Sequence, residues 1–415
     1  MSTLLQKPDM LMRELILIQV YGPDRPGLTA NLCAAMASYD IAILDIGQSV
    51  IHESLSLGML ISIPPTAESA PVIKELLFTA HKLGVDIRFT PVDENDYSAW
   101  VEAEGKPRHI VTLLGRQVTA KQVAAISQLL AEHNLNIDVI TRLTGRPPLG
   151  GAESRRLACV EFSVRGQPHD INGLRGAFLR LSGDLQVDIA FQEDSVFRRN
   201  RRLVAFDMDS TLIQTEVIDE LAVEAGVGDQ VKAITESAMR GEIDFKQSLR
   251  RRLRLLKGLD ESRLQVVADR LPMTEGAERL IVNLKRFGYK IAIISGGFTY
   301  FGELLKKRLG IDYLYANRLA IEDGVVTGEV VGEIVDATRK AEFLKEIAMK
   351  ENISLQQVIA VGDGANDLPM LNLAGLGIAF HAKPVVKKGA RQSISTLGLD
   401  SILYLVGVRE RDIVE

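Results

Sequence analysis

Cysteine is nearly absent from this chain. Cys33 and Cys159 are the only two in 415 residues, and they lie far apart. That excludes a disulfide-stapled scaffold and fits reduced, buried thiols in a cytoplasmic protein. The six histidines are scattered without metal-ligand spacing, so no zinc site is expected. A basic excess is missing too, and the formal net charge of −5 argues against a nucleic-acid partner. No apolar run is long enough to enter a membrane: Leu11 to Val20 is short and contains Arg13 and Glu14. It also lacks the charged lead and small-residue cleavage site of a signal peptide. What remains, 46% hydrophobic and 25% charged residues, suits a soluble globular protein of two or three domains.

Against that background one cluster stands out. Asp207-Met208-Asp209-Ser210-Thr211 directly follows the apolar run Leu203-Val204-Ala205-Phe206. A buried strand ending in two acids puts both carboxylates at its carboxyl edge, where open parallel α/β sheets bind ligands. One carboxylate can attack phosphorus while its neighbour holds or delivers a proton. Two negative charges beside a phosphate also call for a cation, and Mg²⁺ with oxygen ligands fits best. By itself an Asp-x-Asp pair equally suits a plain turn or a calcium loop.

Other segments repeat the strand-then-chemistry pattern in a fixed order. Lys290 to Ile294 runs into Ser295-Gly296-Gly297, where a hydroxyl and a glycine amide can bind phosphate oxygens. Val358 to Val361 runs into Gly362-Asp363-Gly364-Ala365-Asn366-Asp367, offering a further metal carboxylate at Asp363 and a substrate amide at Asn366. Between them Lys340, near the start of the amphipathic segment Ala337 to Lys350, can neutralise a phosphoryl group in transfer. Thr211 and Asp367 read as residues that order this shell.

This ordered set resembles the haloacid dehalogenase-like phosphohydrolases. The resemblance implies that Asp207 forms an aspartyl-phosphate and that Asp209 is the general acid/base. It assigns Ser295 and Lys340 to the phosphoryl group, and Asp207, Asp363 and the Asp209 main-chain carbonyl to Mg²⁺. A helical insert, roughly Gln214 to Leu271, resembles the small cap of the phosphoserine phosphatases, and the likeness runs in register from Arg201 to Ile402. Its substrate-contacting pattern falls on Glu216, Met239, Phe245 and Arg252. O-phosphoserine carries an ammonium that Glu216 can pair with and a carboxylate that suits the planar fork of Arg252. Met239 and Phe245 can exclude water. Arg250, Arg251 and Arg254 flank Arg252, and runs of this kind usually form a solvated face.

The first half of the chain repeats itself. Strand Leu15 to Val20, helix Gly27 to Ser38, strands Ala42 to Ile51 and Leu55 to Ile63, helix Ser69 to Leu83 and strand Asp86 to Thr90 form one βαββαβ unit. The order recurs with strand Arg108 to Leu114, helix Thr119 to His133, strands Ile137 to Leu143 and Leu157 to Val164, helix Ile171 to Leu181 and strand Gln186 to Phe191. Two ferredoxin-like sheets are expected, each covered on one face by two helices. Asp93 to Pro107 reads as a polar linker, Gly145 to Ser154 as a Pro/Gly-rich loop, and Arg198 to Arg202 as a basic hinge. Tyr21-Gly22-Pro23-Asp24-Arg25-Pro26-Gly27-Leu28 resembles the signature loop of ACT domains, which bind amino acids. That implies an effector site, with serine as candidate, at Asp24, Arg25 and Gly27. Gly115-Arg116-Gln117-Val118-Thr119 in the second repeat lacks the proline-glycine pair, so a dimer-forming role suits it as well as ligand binding.

The expected architecture is α/β: two ACT-like domains over residues 1–95 and 96–197, then a doubly wound parallel sheet with a helical cap over 198–415. Asn317 to Gly332 reads as a hairpin beside that sheet, with no chemistry assigned. The expected activity is Mg²⁺-dependent hydrolysis of O-phosphoserine, the last step of serine biosynthesis, in a cytoplasmic homodimer with no membrane or nucleic-acid partner. Two alternatives stay open: the same chemistry on homoserine phosphate or a sugar phosphate, and an amino-acid sensor with a relic phosphatase fold.

Overall fold

Alternate residues Ile16, Ile18 and Val20 are buried while Leu17 and Gln19 between them are only half-buried, the period-two pattern of a strand with one face on a core. That strand, Glu14–Pro23, opens the computed structural model, which describes residues 13–103, 105–146 and 157–415. The chain divides after Lys106 into two units.

In the first unit the strands Glu14–Pro23, Ala42–Ile51, Ser54–Ile63 and Asp86–Val92 form one antiparallel sheet, with the first strand between the third and fourth. Helices Leu28–Ala37 and Ser69–Leu83 cover one face through Leu28, Leu32 and Met36 and through Val72, Leu76 and Ala80. Those i, i+4 triplets are the apolar stripe that makes each segment helical. The expected polar linker is instead largely a helix, Glu94–Ala103. Its start is fixed by Asp93, whose Oδ1 accepts from the Asn95 amide at 2.8 Å, and Tyr97 packs on Trp100 with ring centroids 6.1 Å apart. With no buried stripe, this helix left no periodicity to read.

The second unit begins with the repeated sheet: Arg108–Gly115, Asn136–Arg142, Ala158–Arg165 and Asp188–Glu193, covered by Ala120–Glu132 and Ile171–Leu185. The Gly145 to Ser154 loop falls mostly outside the described residues. A seven-stranded sheet follows, in the spatial order Val325–Val331, Tyr313–Glu322, Lys290–Phe298, Leu203–Phe206, Val358–Gly362, Leu376–Phe380, Gln392–Ile394. All neighbours are parallel except the first pair. Leu203–Phe206 is buried on both faces, which is why it reads as an unbroken apolar run.

From that central strand the chain moves first to Lys290–Phe298 on one side and later to Val358–Gly362 on the other. Strand order therefore reverses at the carboxyl end of Leu203–Phe206, and a crevice opens there. The expected hairpin exists, turned by Asp323 and Gly324, both at positive φ. Its first strand, Tyr313–Glu322, begins inside the parallel sheet instead of lying beside it, and the short edge strand Gln392–Ile394 extends the sheet at the other side. The insert is four helices, Val217–Glu224, Gly228–Met239, Phe245–Leu255 and Ser262–Arg270.

The basic hinge is a correction as well. Arg198 is buried against Glu161, and Arg201 is buried with Nη1 donating to the Gln356 carbonyl at 2.6 Å. Asp188 accepts from the Ser395 and Thr396 amides at 2.7 and 3.0 Å, and Leu114, Cys159 and Ala190 share one core with Phe206. The repeated sheet is thus packed onto the seven-stranded one. Both cysteines are free thiols, Cys159 buried and Cys33 half-buried. Among the described residues no helix is long and apolar enough to cross a membrane.

Candidate active site

The turn after the central strand separates its two acids. Asp207 still pairs as sheet, its amide donating to the Val361 carbonyl at 2.9 Å, and its Oδ1 accepts from the Met208 amide at 2.7 Å. The chain then swings through Ser210, at φ 55°, and closes with the Ile213 amide on the Met208 carbonyl. Asp207 and Asp209 are both buried. The Asp207 carboxylate faces Lys340, whereas Asp209 accepts weakly from the Val217 amide at 3.4 Å, beside Gly297. Burial, then the charges of Glu216 and Asp207, push the Asp209 carboxyl well above the usual range. A shift in this direction favours the protonated form, the form a proton donor needs.

Asp207 belongs to the denser cluster. Lys340 is fully buried, with Nζ 2.6 Å from Asp207 Oδ2 and 2.7 Å from Asp367 Oδ1. Burial works against its charge, but the two carboxylates outweigh it and hold the ammonium above its ordinary value. One carboxylate oxygen from each of Asp207, Asp363 and Asp367 lies within 4.8 Å of the others. Burial, followed by the nearby Asp207, raises Asp363 to about 8 and Asp367 to about 7. Three acids around a single lysine leave unbalanced negative charge, and their hard oxygen donors fit a divalent cation. Asp367, read from sequence as a supporting residue, is therefore a full member of the carboxylate group, and the Asp209 side chain is not. Thr211 Oγ1 approaches Asp363 Oδ1 at 3.4 Å. A Cβ on Gly362 would collide with the Asp367 carboxylate, so glycine is what lets that acid tuck under the loop. Asn366 is half-buried on the same loop.

On the other side of the crevice Ser295 is fully buried and its Oγ accepts from the Gly297 amide at 3.0 Å. A Cβ on Gly297 would come within 2.6 Å of both Asp209 Oδ2 and Met208 Cε. Gly296 faces the insert, where a Cβ would meet Phe245 Cζ at 3.0 Å. Asn317, which carried no assignment, holds this loop: its Nδ2 donates to the Gly296 carbonyl at 2.8 Å and its Oδ1 accepts from the Val335 amide at 2.9 Å. Its only signal in sequence was a polar residue in a β-prone run.

The insert closes the remaining side. Arg252 is buried while Arg250, Arg251 and Arg254 are exposed, so the helix itself separates it from its basic neighbours. Its Nε has no hydrogen-bond partner among the described residues. Burial lowers its pKa against the opposing pull of Glu216, Asp219 and Asp209. Glu216 is hemmed in by protein yet open to solvent, as a side chain standing in a cleft should be, and Ser210 Oγ donates to it at 3.1 Å. Burial and Asp207 raise its pKa. The Met239 side chain lies outside the described residues. Asp24, Arg25 and Gly27 belong to the first unit, exposed, with Gly27 at φ 87° before the helix. The corresponding loop of the second repeat is tied into a Thr119–Gln122 capping box.

Family models match this layout: an ACT domain over residues 14–90, another over 107–192, and a haloacid dehalogenase-like hydrolase over 201–375. A phosphoserine phosphatase of Streptomyces coelicolor is 40% identical over 403 residues, covering 96% of this chain and 93% of its own. A phosphoserine phosphatase of Mycobacterium tuberculosis is 37% identical over 399 residues, covering 96% of this chain and 94% of its own. Among solved structures, a haloacid dehalogenase family hydrolase from Salmonella enterica serovar Typhi aligns with TM-score 0.61 and 32% identity, over 72% of this chain and 99% of that one.

Proposed function

The chain belongs to the phosphoserine phosphatase family, and on that premise we propose that it hydrolyses O-phosphoserine through a covalent phosphate on Asp207. The observation that carries the reading is the meeting of Asp207, Lys340, Asp363 and Asp367 at the switch point of the parallel sheet. Asp207 attacks phosphorus in line. Asp209, whose burial favours the protonated carboxyl, delivers a proton to the departing serine oxygen. The same carboxylate then takes a proton from water, which opens the aspartyl-phosphate and restores both acids. Ser295, the Gly296 amide, Lys340 and Asn366 surround the phosphoryl oxygens, so that catalysis is mainly positioning and charge neutralisation.

A Mg²⁺ ion would be held by Asp207, Asp363 and the Asp209 main-chain carbonyl, with Asp367 close by and bonded to Lys340. When bound it would supply positive charge for the phosphate oxygens and relieve the repulsion among the acids. Glu216 pairs with the substrate ammonium and Arg252, whose Nε is free, with its carboxylate. Phe245, which lies against Gly296, keeps water away.

Regulation is part of the proposal. We read residues 1–95 and 96–197 as amino-acid-responsive domains and 198–415 as the phosphatase, with serine as candidate effector at Asp24, Arg25 and Gly27. Exposed Ile43, Ile46, Val50 and Ile51 on the edge strand Ala42–Ile51 support pairing with a second copy of the chain. A cytoplasmic site of action fits the free thiols. Phosphate release from O-phosphoserine, dependent on Mg²⁺ and lost on chelation, tests the core reading. A chain that leaves O-phosphoserine intact but cleaves sugar phosphates would refute it.

A further inference from the structure

Besides the Tyr300 hydroxyl, which donates to Gln265 Oε1 at 2.9 Å, the insert meets the rest of its unit differently at two edges. Along one edge the backbone joins the hairpin: the Gly258 amide donates to the Val326 carbonyl, the Val326 amide to the Leu259 carbonyl and the Glu261 amide to the Gly324 carbonyl, each at 2.8 Å. At the edge over the crevice there is one charged contact, Lys246 Nζ to Asp336 Oδ2 at 2.8 Å. Among the described residues it is the only ion pair joining the insert to the core, since Arg263 and Arg270 pair with Glu220 and Glu224 inside the insert. We propose that the Lys246–Asp336 pair is the closing latch of the cap, and that both are positioning residues for phosphoserine hydrolysis. The inference rests on the phosphatase reading given above.

Asp336 is placed to couple both sides. Its Oδ1 accepts from the Arg339 amide at 3.0 Å and so starts the helix Ala337–Lys350, while its carbonyl accepts from the Lys340 amide at 2.9 Å. Its Oδ2 is left for Lys246, the residue after Phe245 on the helix that also bears Arg252. Beneath them Asn317 ties Gly296 to Val335, and Phe245 rests against Gly296. One carboxylate thus sets the register of the lysine that faces the phosphate and of the helix that faces the amino acid. The latch is partly wetted, with side chains 42% and 21% exposed, so it can open and reform without the cost of breaking a buried pair. The backbone-tethered edge acts as the hinge, and the Lys246 edge swings.

The test compares Lys246→Met, Asp336→Asn, the double variant and Lys246→Arg in the full chain. Asparagine keeps the helix cap while removing the charge. Each neutral single variant should lower kcat/KM for O-phosphoserine about three- to fivefold at low ionic strength, the scale of a partly exposed ion pair. The double variant should fall no further, Lys246→Arg should match wild type, and the gap should close in high salt. Hydrolysis of p-nitrophenyl phosphate, which has no ammonium or carboxylate for the cap, should be the same for all. Single variants equal to wild type, or losses that multiply in the double variant, would overturn the latch while leaving the phosphatase reading intact. A wild-type chain inactive on O-phosphoserine would overturn both.

Discussion

Lys340 stands between Asp207 and Asp367 at 2.6 and 2.7 Å, with no solvent-exposed surface of its own. A buried ammonium with two carboxylates is a charge that neither acid can lose cheaply. Lys340→Met should reduce kcat by about a hundredfold or more, the scale of deleting a preorganised charge at a developing anion. It should also cost about 3–5 kcal/mol of stability, because two buried acids lose their counter-charge. Steady-state rates and thermal unfolding with and without Mg²⁺ measure both. Added Mg²⁺ should recover part of the stability and little of the rate.

Asp209 and Gly297 make a second dependence visible. A methyl group on Gly297 would come within 2.6 Å of the Asp209 carboxylate and drive it from its place. Gly297→Ala should therefore lower kcat by about a hundredfold, as expected for a misplaced reacting group. In the first step, phosphorylation of Asp207 followed in a single turnover, Asp209→Asn should slow release of serine from O-phosphoserine far more than release of p-nitrophenolate from p-nitrophenyl phosphate, whose leaving group needs no proton. Equal losses in that step would remove Asp209 as the proton donor, whereas the water step, common to both substrates, should slow alike for the two.

Arg252 is buried and its neighbour Arg251 is exposed, two adjacent residues of one type with opposite surroundings. Arg252→Ala should raise KM for O-phosphoserine by about tenfold to a hundredfold, the range of a charged hydrogen bond. Lys at that position should recover only part, since it lacks the planar fork. Arg251→Ala should stay within about twofold of wild type. Kinetics of the three variants decide this, and equal effects at the two positions would contradict the assignment.

Asn317 joins the Gly296 carbonyl to the Val335 amide from a buried position. Asn317→Ala leaves both backbone groups without their partner, at a cost of about 1–3 kcal/mol each. The unfolding midpoint should fall and kcat with it, as the loop Ser295 to Gly297 loosens. Retained stability in differential scanning calorimetry would show that water replaces the amide there.

How much of this was legible in advance follows from what each residue has to do. The two βαββαβ units and the central sheet strands were readable because Leu203–Phe206 and Val358–Gly362 are buried on both faces and Leu28, Leu32 and Met36 recur at helical spacing. Asp207, Lys340 and Asp363 were readable because each sits at the end of a strand or the start of a helix, where few residue types have a reason to be. Their grouping in space was not readable beyond the family likeness. Helix Glu94–Ala103 was missed because its start is set by a side-chain cap rather than a buried stripe. Arg198 and Arg201 look like a solvated charge run until the fold supplies Glu161 and the carbonyl of Gln356. Asn317 and Asp336 act through partners remote in sequence, and Asp367 became part of the acid cluster only when Lys340 and Gly362 were seen around it.

Acid-quenched mass spectrometry during turnover tests the central claim most directly. A peptide containing Asp207 should carry one added phosphoryl group in the wild-type chain when O-phosphoserine and Mg²⁺ are present. The modification should be absent from Asp207→Asn, which should keep its fold but not its turnover. Phosphoserine hydrolysis at an undiminished rate in that variant, or a phosphoryl group trapped on any other residue, would contradict it.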